Sequence, residues 1–217
     1  MTRTGTAGRP PIEDHAETFL EWSRSHARAL GYGAVALAVV AGLAVIYARS
    51  STAKQAQAEK AYFDAQRSVI AGNLPLAQSD LHKVATRFAG TLAGVQARLV
   101  LAQVMYDQNK FADGMKELEK VEGKREAKVF ASSIQSLMAA GLESQSKFKE
   151  AAERYRKADD LSVFKTDKAL LLAQAARAYM SAQDGKSATE LWTKLAEDPD
   201  GPVAGEARIR LGELAAR

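Results

Sequence analysis

Residues 101–121 read LAQVMYDQNKFADGMKELEKV, and the order of side-chain sizes in this stretch decides the fold. Small Ala102 and large Met105 precede a polar break at Asn109; Phe111, small Gly114, large Leu118 and apolar Val121 follow it. The same frame returns as Ala139, Leu142, Ser146, Phe148, Ala151, Tyr155 and Ala158, and again as Ala176, Tyr179, Gln183, Gly185, Ala188, Trp192 and Leu195. An earlier copy runs through Ala65, Gly72, Leu74, Ala77, Leu81 and Val84. The small residue after the break therefore sits at Ala77, Gly114, Ala151 and Ala188, at constant intervals of 37 residues. A heptad-patterned bundle would show no such phase lock. Small residues on facing helices let two antiparallel helices approach closely, and the large residue fills the adjacent groove. One such pair cannot bury its own apolar face, so neighbouring pairs stack and share a core.

The frame resembles the tetratricopeptide repeat, whose usual period is about 34 residues, so each unit here carries a few extra. The resemblance implies an all-α fold: an α-solenoid of four tetratricopeptide-like helical pairs and a C-terminal capping helix, spanning residues 49–217. Boundary chemistry supports the division. Gly90 followed by Thr91 reads as a helix stop and an N-cap, and Gly123 separates the second and third units. Thr166 or Asp167 is expected to cap the fourth unit. Asp198–Pro202 ends it and opens a last amphipathic helix, with Pro202 suited to the first turn.

Upstream, residues 29–48 carry no charge and are bounded by Arg28 and Arg49. About 20 apolar residues of helix cross the hydrocarbon core of a bilayer. A cleaved signal peptide has a shorter apolar core of about 7–15 residues behind a compact basic region, whereas 28 residues precede this one. Tyr32, Tyr47 and, slightly outside, Trp22 provide the amphipathic aromatics that favour membrane interfaces. The expected organisation is a tail with a short amphipathic helix over 1–28, a transmembrane helix over 29–48, and the repeat domain. A first helix is predicted from about Thr52 to Ala71; with no glycine or proline between Leu43 and Ala71, it can continue directly from the span. Ala34, Ala38 and Gly42 form a small-residue stripe within the span, which an alanine-rich segment produces by chance. Arg24 and Arg28 flank the span on one side against Arg49, Lys54, Lys60 and Arg67 on the other, so the positive-inside count favours a cytoplasmic C-terminal domain.

The composition argues against several function classes. The 217 residues include 30 Lys and Arg, 26 Asp and Glu, and a formal charge of +4. These charges are interleaved, as in Lys116–Glu126, which reads as solvated helix surface and gives no nucleic-acid footprint. No cysteine is present, which rules out disulfides and thiolate metal sites. The three histidines, His15, His26 and His82, have no metal-ligand spacing, and Asp159–Asp160 has no matching acid or base. The expectation is no catalytic residue, metal, cofactor or small-molecule substrate, and a role in binding protein.

In stacked helical pairs the first helices line the concave face. In this frame those positions are Glu59, Tyr62, Gln66 and Val69; Gln96, Leu99, Gln103 and Tyr106; Ser133, Ser136, Ala140 and Glu143; and Leu170, Ala173, Arg177 and Met180. The candidate peptide-binding residues among them are Tyr62, Gln66, Gln96, Leu99, Gln103, Tyr106, Glu143, Arg177 and Met180. They mix aromatic, amide and apolar groups and lack the dense Lys/Arg set that clamps a C-terminal carboxylate.

Phe19–Leu30 (FLEWSRSHARAL) before the span, Ala61–Ala65 (AYFDA) and Ala97–Gln103 (ARLVLAQ) beyond it carry a further likeness. Together with the architecture, they resemble the single-span, tetratricopeptide-like ancillary subunits of the bacterial Sec translocon. That resemblance implies an inner-membrane, single-pass protein with a periplasmic repeat domain. Its implied partners are translocon subunits and periplasmic chaperones. This topology is adopted over the charge count. The alternative is a scaffold or regulatory protein of another envelope complex, such as one of cell division or cytochrome maturation.

Overall fold

The computed structural model describes residues 26–216, and among them every regular element is helical. The expected amphipathic helix and Trp22 in the tail, with His15, lie outside the described residues. The chain divides into two compact units, Met1–Ala53 and Lys54–Arg217.

Helix α1 runs without a break over Ala27–Ile70. Leu37, Val39, Val40, Leu43, Val45 and Ile46 are all exposed on it, and it is long and apolar enough to cross a membrane. A polar triplet follows the apolar run without interrupting the helix. Ser50 donates to the carbonyl of Tyr47, while Ser51 and Thr52 donate to that of Ala48, at 2.8–3.0 Å. These hydroxyls are satisfied inside the helix and leave its backbone ladder intact.

The second unit contains the repeats. Its first pair is the C-terminal part of α1 with α2 (Leu74–Arg87). The second pair is α3 (Leu92–Asp107) and α4 (Phe111–Glu119). The third is α5 (Ala131–Glu143) and α6 (Phe148–Leu161), and the fourth α7 (Lys165–Ser181) and α8 (Gly185–Ala196). Helix α9 (Ala204–Ala215) packs on α8 and closes the array.

The turn inside each pair repeats to the residue. Gly72, Asn109, Ser146 and Gln183 all have φ between 59° and 70°. The next residue in each case donates its N–H five residues back: Asn73 to Ser68, Lys110 to Met105, Lys147 to Leu142 and Asp184 to Tyr179, at 2.8–3.1 Å. This is the left-handed helix stop that satisfies carbonyls otherwise left open at a C-terminus. Second helices accordingly start at 74, 111, 148 and 185, in step with the sequence period.

The small positions Ala77, Ala151 and Ala188 are fully buried, as are Leu81, Leu118 and Trp192. At Gly114 the space is tighter still, since a Cβ there would lie 2.5 Å from Cε1 of Tyr106. The core is built of three clusters, each of which spans more than one pair. One joins the first two pairs, one lies across the second and third, and one unites the third and fourth with Val203 and Ala207 from the closing segment.

Three boundaries carry detail beyond the repeat frame. Thr91 caps α3, its hydroxyl accepting from the N–H of Gly94 at 3.1 Å. Thr166 and Asp167, expected as caps, instead lie in the first turn of α7, whose N-cap is Phe164; the preceding Ser162 hydroxyl accepts from the Phe164 N–H at 3.4 Å. Pro202 falls before α9, in a turn closed by the Ala204 N–H donating to the Gly201 carbonyl at 3.2 Å, and not in the helix itself.

Ala151→Leu is expected to overpack the third pair and destabilise the domain by roughly 1–3 kcal/mol. A thermal melt followed by circular dichroism checks this. An unchanged melting temperature would mean that the repeat frame is set in the wrong register.

Candidate functional site

Between the first helices of the third and fourth pairs lies a groove of about 420 Å³. Ser133, Ser136 and Leu137 of α5 form one wall; Asp167, Leu170 and Gln174 of α7 form the other. Leu170 is 45% exposed there. The side-chain oxygen of Gln174 is buried and has no hydrogen-bond partner. Apolar groups and unpaired polar groups thus share one open cleft.

The expected binding residues divide by how much of each side chain is already engaged. Gln103 is exposed, and Gln96 and Leu99 are half-buried, with Leu99 packed on the core between the second and third pairs. Tyr62 and Gln66 are half-buried and face one another, the Gln66 amide donating to the Tyr62 hydroxyl at 2.7 Å. Tyr106 is buried at 8% exposure, and its hydroxyl donates to the Leu137 carbonyl at 3.1 Å. A Cβ at Gly141 would lie 2.5 Å from that hydroxyl, so Gly114 and Gly141 together make the slot for the ring. Burial pushes the Tyr106 phenol up to about 12, which keeps it a proton donor.

Glu143, Arg177 and Met180 gather at the C-terminal end. Arg177 makes a bidentate pair with Glu206 of α9, at 2.8 and 2.5 Å. Glu143 accepts from the Tyr155 hydroxyl at 2.7 Å; burial first, then this bond and the Glu143 charge, push the Tyr155 phenol up. The half-buried Met180 sulfur accepts from the indole N–H of Trp192 at 3.3 Å. Arg177 therefore fastens the closing helix to the stack. Its planar fork suits such two-point pairing of a carboxylate.

Two polar clusters were not legible in the sequence. Arg98 on α3 is buried and bonds Glu117 of α4 at 2.5 Å and the Ala85 carbonyl of α2 at 3.1 Å. Glu117 is held from its other side by Lys120. Such an ion pair is tolerated only when both charges are paired and hydrogen-bonded. The second cluster centres on Glu122, whose Oε1 accepts from Arg154, Gln135 and Lys157 at 2.6, 2.8 and 3.0 Å. The partners lie 13 to 35 residues away in sequence, so no local pattern announces them. Among the described residues no group of acidic and histidine side chains is placed to hold a metal ion.

Burial alone would raise the Glu122 carboxyl, but the bonds from Gln135, Lys157 and Arg154 outweigh it and hold the group at about 2, against an ordinary value near 4.5. A lowered folded-state value contributes stability above the unfolded value that is lost as pH falls through the folded one. The wild-type chain is therefore expected to lose melting temperature between pH 4.5 and 2 more steeply than Glu122→Gln, as measured by thermal melts at stepped pH. Parallel slopes would remove Glu122 as an anchor.

The Tetratricopeptide repeat-like domain family matches residues 20–169. Among solved structures, the chain is similar to the nearly identical TPR-like repeats of a proposed kinesin light chain from Podosopora anserina. The match is 16% identical with a TM-score of 0.59, over 74% of this chain and 86% of that one. A single-substitution form of the same protein matches at the same identity and TM-score over 85% of its length. At this identity the likeness concerns the fold alone. No curated protein sequence matches. Folds of this kind are typically non-enzymatic scaffolds for protein–protein interaction, and no catalytic family is indicated. By the match over most of its length and the phase-locked helical pairs, this chain belongs to the Tetratricopeptide repeat-like domain family.

Proposed function

We propose that the chain is a membrane-tethered protein–protein interaction module that serves as an ancillary subunit of the bacterial Sec translocon and links it to periplasmic chaperones. The observation that carries the binding role is the open groove between α5 and α7, with Leu170 exposed and Gln174 unpaired in its walls. Ordered apolar and amide groups in one cleft suit an extended or helical peptide. The observation behind the tether is the exposed apolar length of α1. Holding a binder at the membrane raises its effective concentration for a neighbouring complex, so modest peptide affinity suffices.

The face proposed for polypeptide comprises Tyr62, Gln66, Gln96, Leu99 and Gln103, continued by Ser136 and Leu170. Glu143, Arg177 and Met180 adjoin it at the closing helix. Tyr106 supports this surface from below through its Leu137 bond. Binding to such a mixed surface is broad and only mildly salt-dependent.

Alkaline phosphatase fused after Arg217 should be active in a bacterial host if the repeat domain is periplasmic, with residues 29–48 retained in the mature chain. An inactive fusion defeats the topology, and a new N-terminus beyond residue 48 defeats the anchor. A photoreactive amino acid at Ser136 should crosslink to translocon subunits or periplasmic chaperones, and Leu170→Glu should reduce that yield in a domain shown to be folded. Crosslinks to division or cytochrome-maturation proteins would transfer the module to another envelope complex.

A further inference from the structure

The repeat is broken in one place. Helix α4 spans nine residues where α2 and α6 span fourteen. The chain then turns through Gly123 at φ 73° and enters a short 3-10 helix, Arg125–Phe130, before α5. The missing turns of α4 leave a pocket of about 290 Å³ against α5 and the end of α6, floored by Ala127, Ile134 and Leu161. Departures from an otherwise consistent pattern concentrate where a protein has a use for them.

The pocket's rim is cationic. Lys124, Arg125 and Lys128 border it and are exposed, and none makes an ion pair or side-chain hydrogen bond among the described residues. Lys157 also borders it, and its ammonium is bound to Glu122. That carboxylate is already shared with Arg154 and Gln135, so it cannot neutralise the remaining cations. The segment carries one carboxylate of its own, Glu126, against three cations, so an excess of positive charge remains on it. An apolar floor under unpaired cations is complementary to an anion that carries an apolar group. The volume lies at the small end of ligand clefts, about 300 Å³, which suits a side chain and not a lipid tail.

We propose that the notch between the second and third pairs is a docking site for an acidic peptide segment, one apolar side chain entering the pocket while flanking carboxylates pair with Lys124, Arg125 and Lys128. The site is formed by the loop after α4, the 3-10 helix, the start of α5 and the end of α6, and it shares no lining residue with the groove between α5 and α7. A partner could engage both, the notch supplying charge selectivity and the groove supplying breadth.

The test uses the full chain in a zwitterionic detergent and a dye-labelled Glu-Glu-Leu-Leu peptide followed by fluorescence anisotropy, with Gln-Gln-Leu-Leu as its neutral counterpart. The acidic peptide should bind saturably, and raising salt should weaken it. Lys124→Ala/Lys128→Ala, which alters only exposed unpaired side chains, should weaken binding roughly tenfold or more. Ala131→Leu, which narrows the pocket, should weaken both peptides, whereas Leu170→Glu should leave acidic-peptide binding unchanged. Equal affinity for the neutral peptide, or unchanged affinity in the double variant, overturns the proposal. Loss of binding in Leu170→Glu alone would place the peptide in the other groove and overturn it too. Displacement of the peptide by phosphatidylglycerol nanodiscs but not phosphatidylcholine ones would reassign the rim to anionic lipid.

Discussion

The close approach of the two helices within each pair is the constraint on which the rest depends. It requires a small residue at 77, 114, 151 and 188, and a turn tight enough to bring the second helix back at once. The left-handed residue at 72, 109, 146 and 183 supplies that turn, and the N–H after it closes the carbonyl five residues back. Only the first of these positions is glycine. Asn109, Ser146 and Gln183 adopt a backbone region disfavoured for residues with a Cβ, and the packing of each pair holds them there. Stability is thus local in origin and shared between neighbours, as expected of stacked repeats.

Stacking alone would leave the pairs free to slide, and polar ties fix their offsets. Arg98 joins α3 to α4 and to the backbone of α2. Tyr106 reaches from the second pair to the Leu137 carbonyl of the third. Arg154 and Lys157 of α6 return to Glu122, ahead of α5, and Arg177 holds α9 through Glu206. Apart from the bond between Arg98 and Glu117, which lies within the second pair, each of these ties reaches across a boundary between neighbouring pairs or between a pair and its cap. Groups that looked like candidates for ligand binding are, at Tyr106 and Arg177, the means by which the array keeps its register. The surface proposed for a partner is correspondingly shifted towards Gln103, Ser136 and Leu170.

The interruption after α4 shows how a repeat architecture can gain a singular feature. The spacing of the second helices is kept at 37 residues, yet one of them gives up its last turns. The frame beyond is undisturbed because α6 and α8 restart on their own turn residues. Gly123 accommodates the change of direction, and the Glu122 cluster anchors the loop to α6. An irregular segment is thereby held by strong bonds on one side and leaves its cations free on the other.

The sequence by itself determined the helical pairs, their number and their phase, because these follow from side-chain size at fixed spacing, and size is written residue by residue. It also determined the uncharged length of the first helix, and the caps that depend on neighbours, such as Thr91. It misplaced the caps at Thr166, Asp167 and Pro202, where the boundary was settled by how the loop packs. Only the tertiary structure decided which polar residues stay open to solvent and which face another repeat. Arg98, Glu122, Tyr106 and Arg177 differ little from exposed residues in their local sequence. Their roles come from contacts 13 to 35 residues distant, a separation at which neither period nor propensity carries information. The notch beside Gly123 was hidden for the same reason, since a shortened helix becomes a pocket only when the helices on either side are in place.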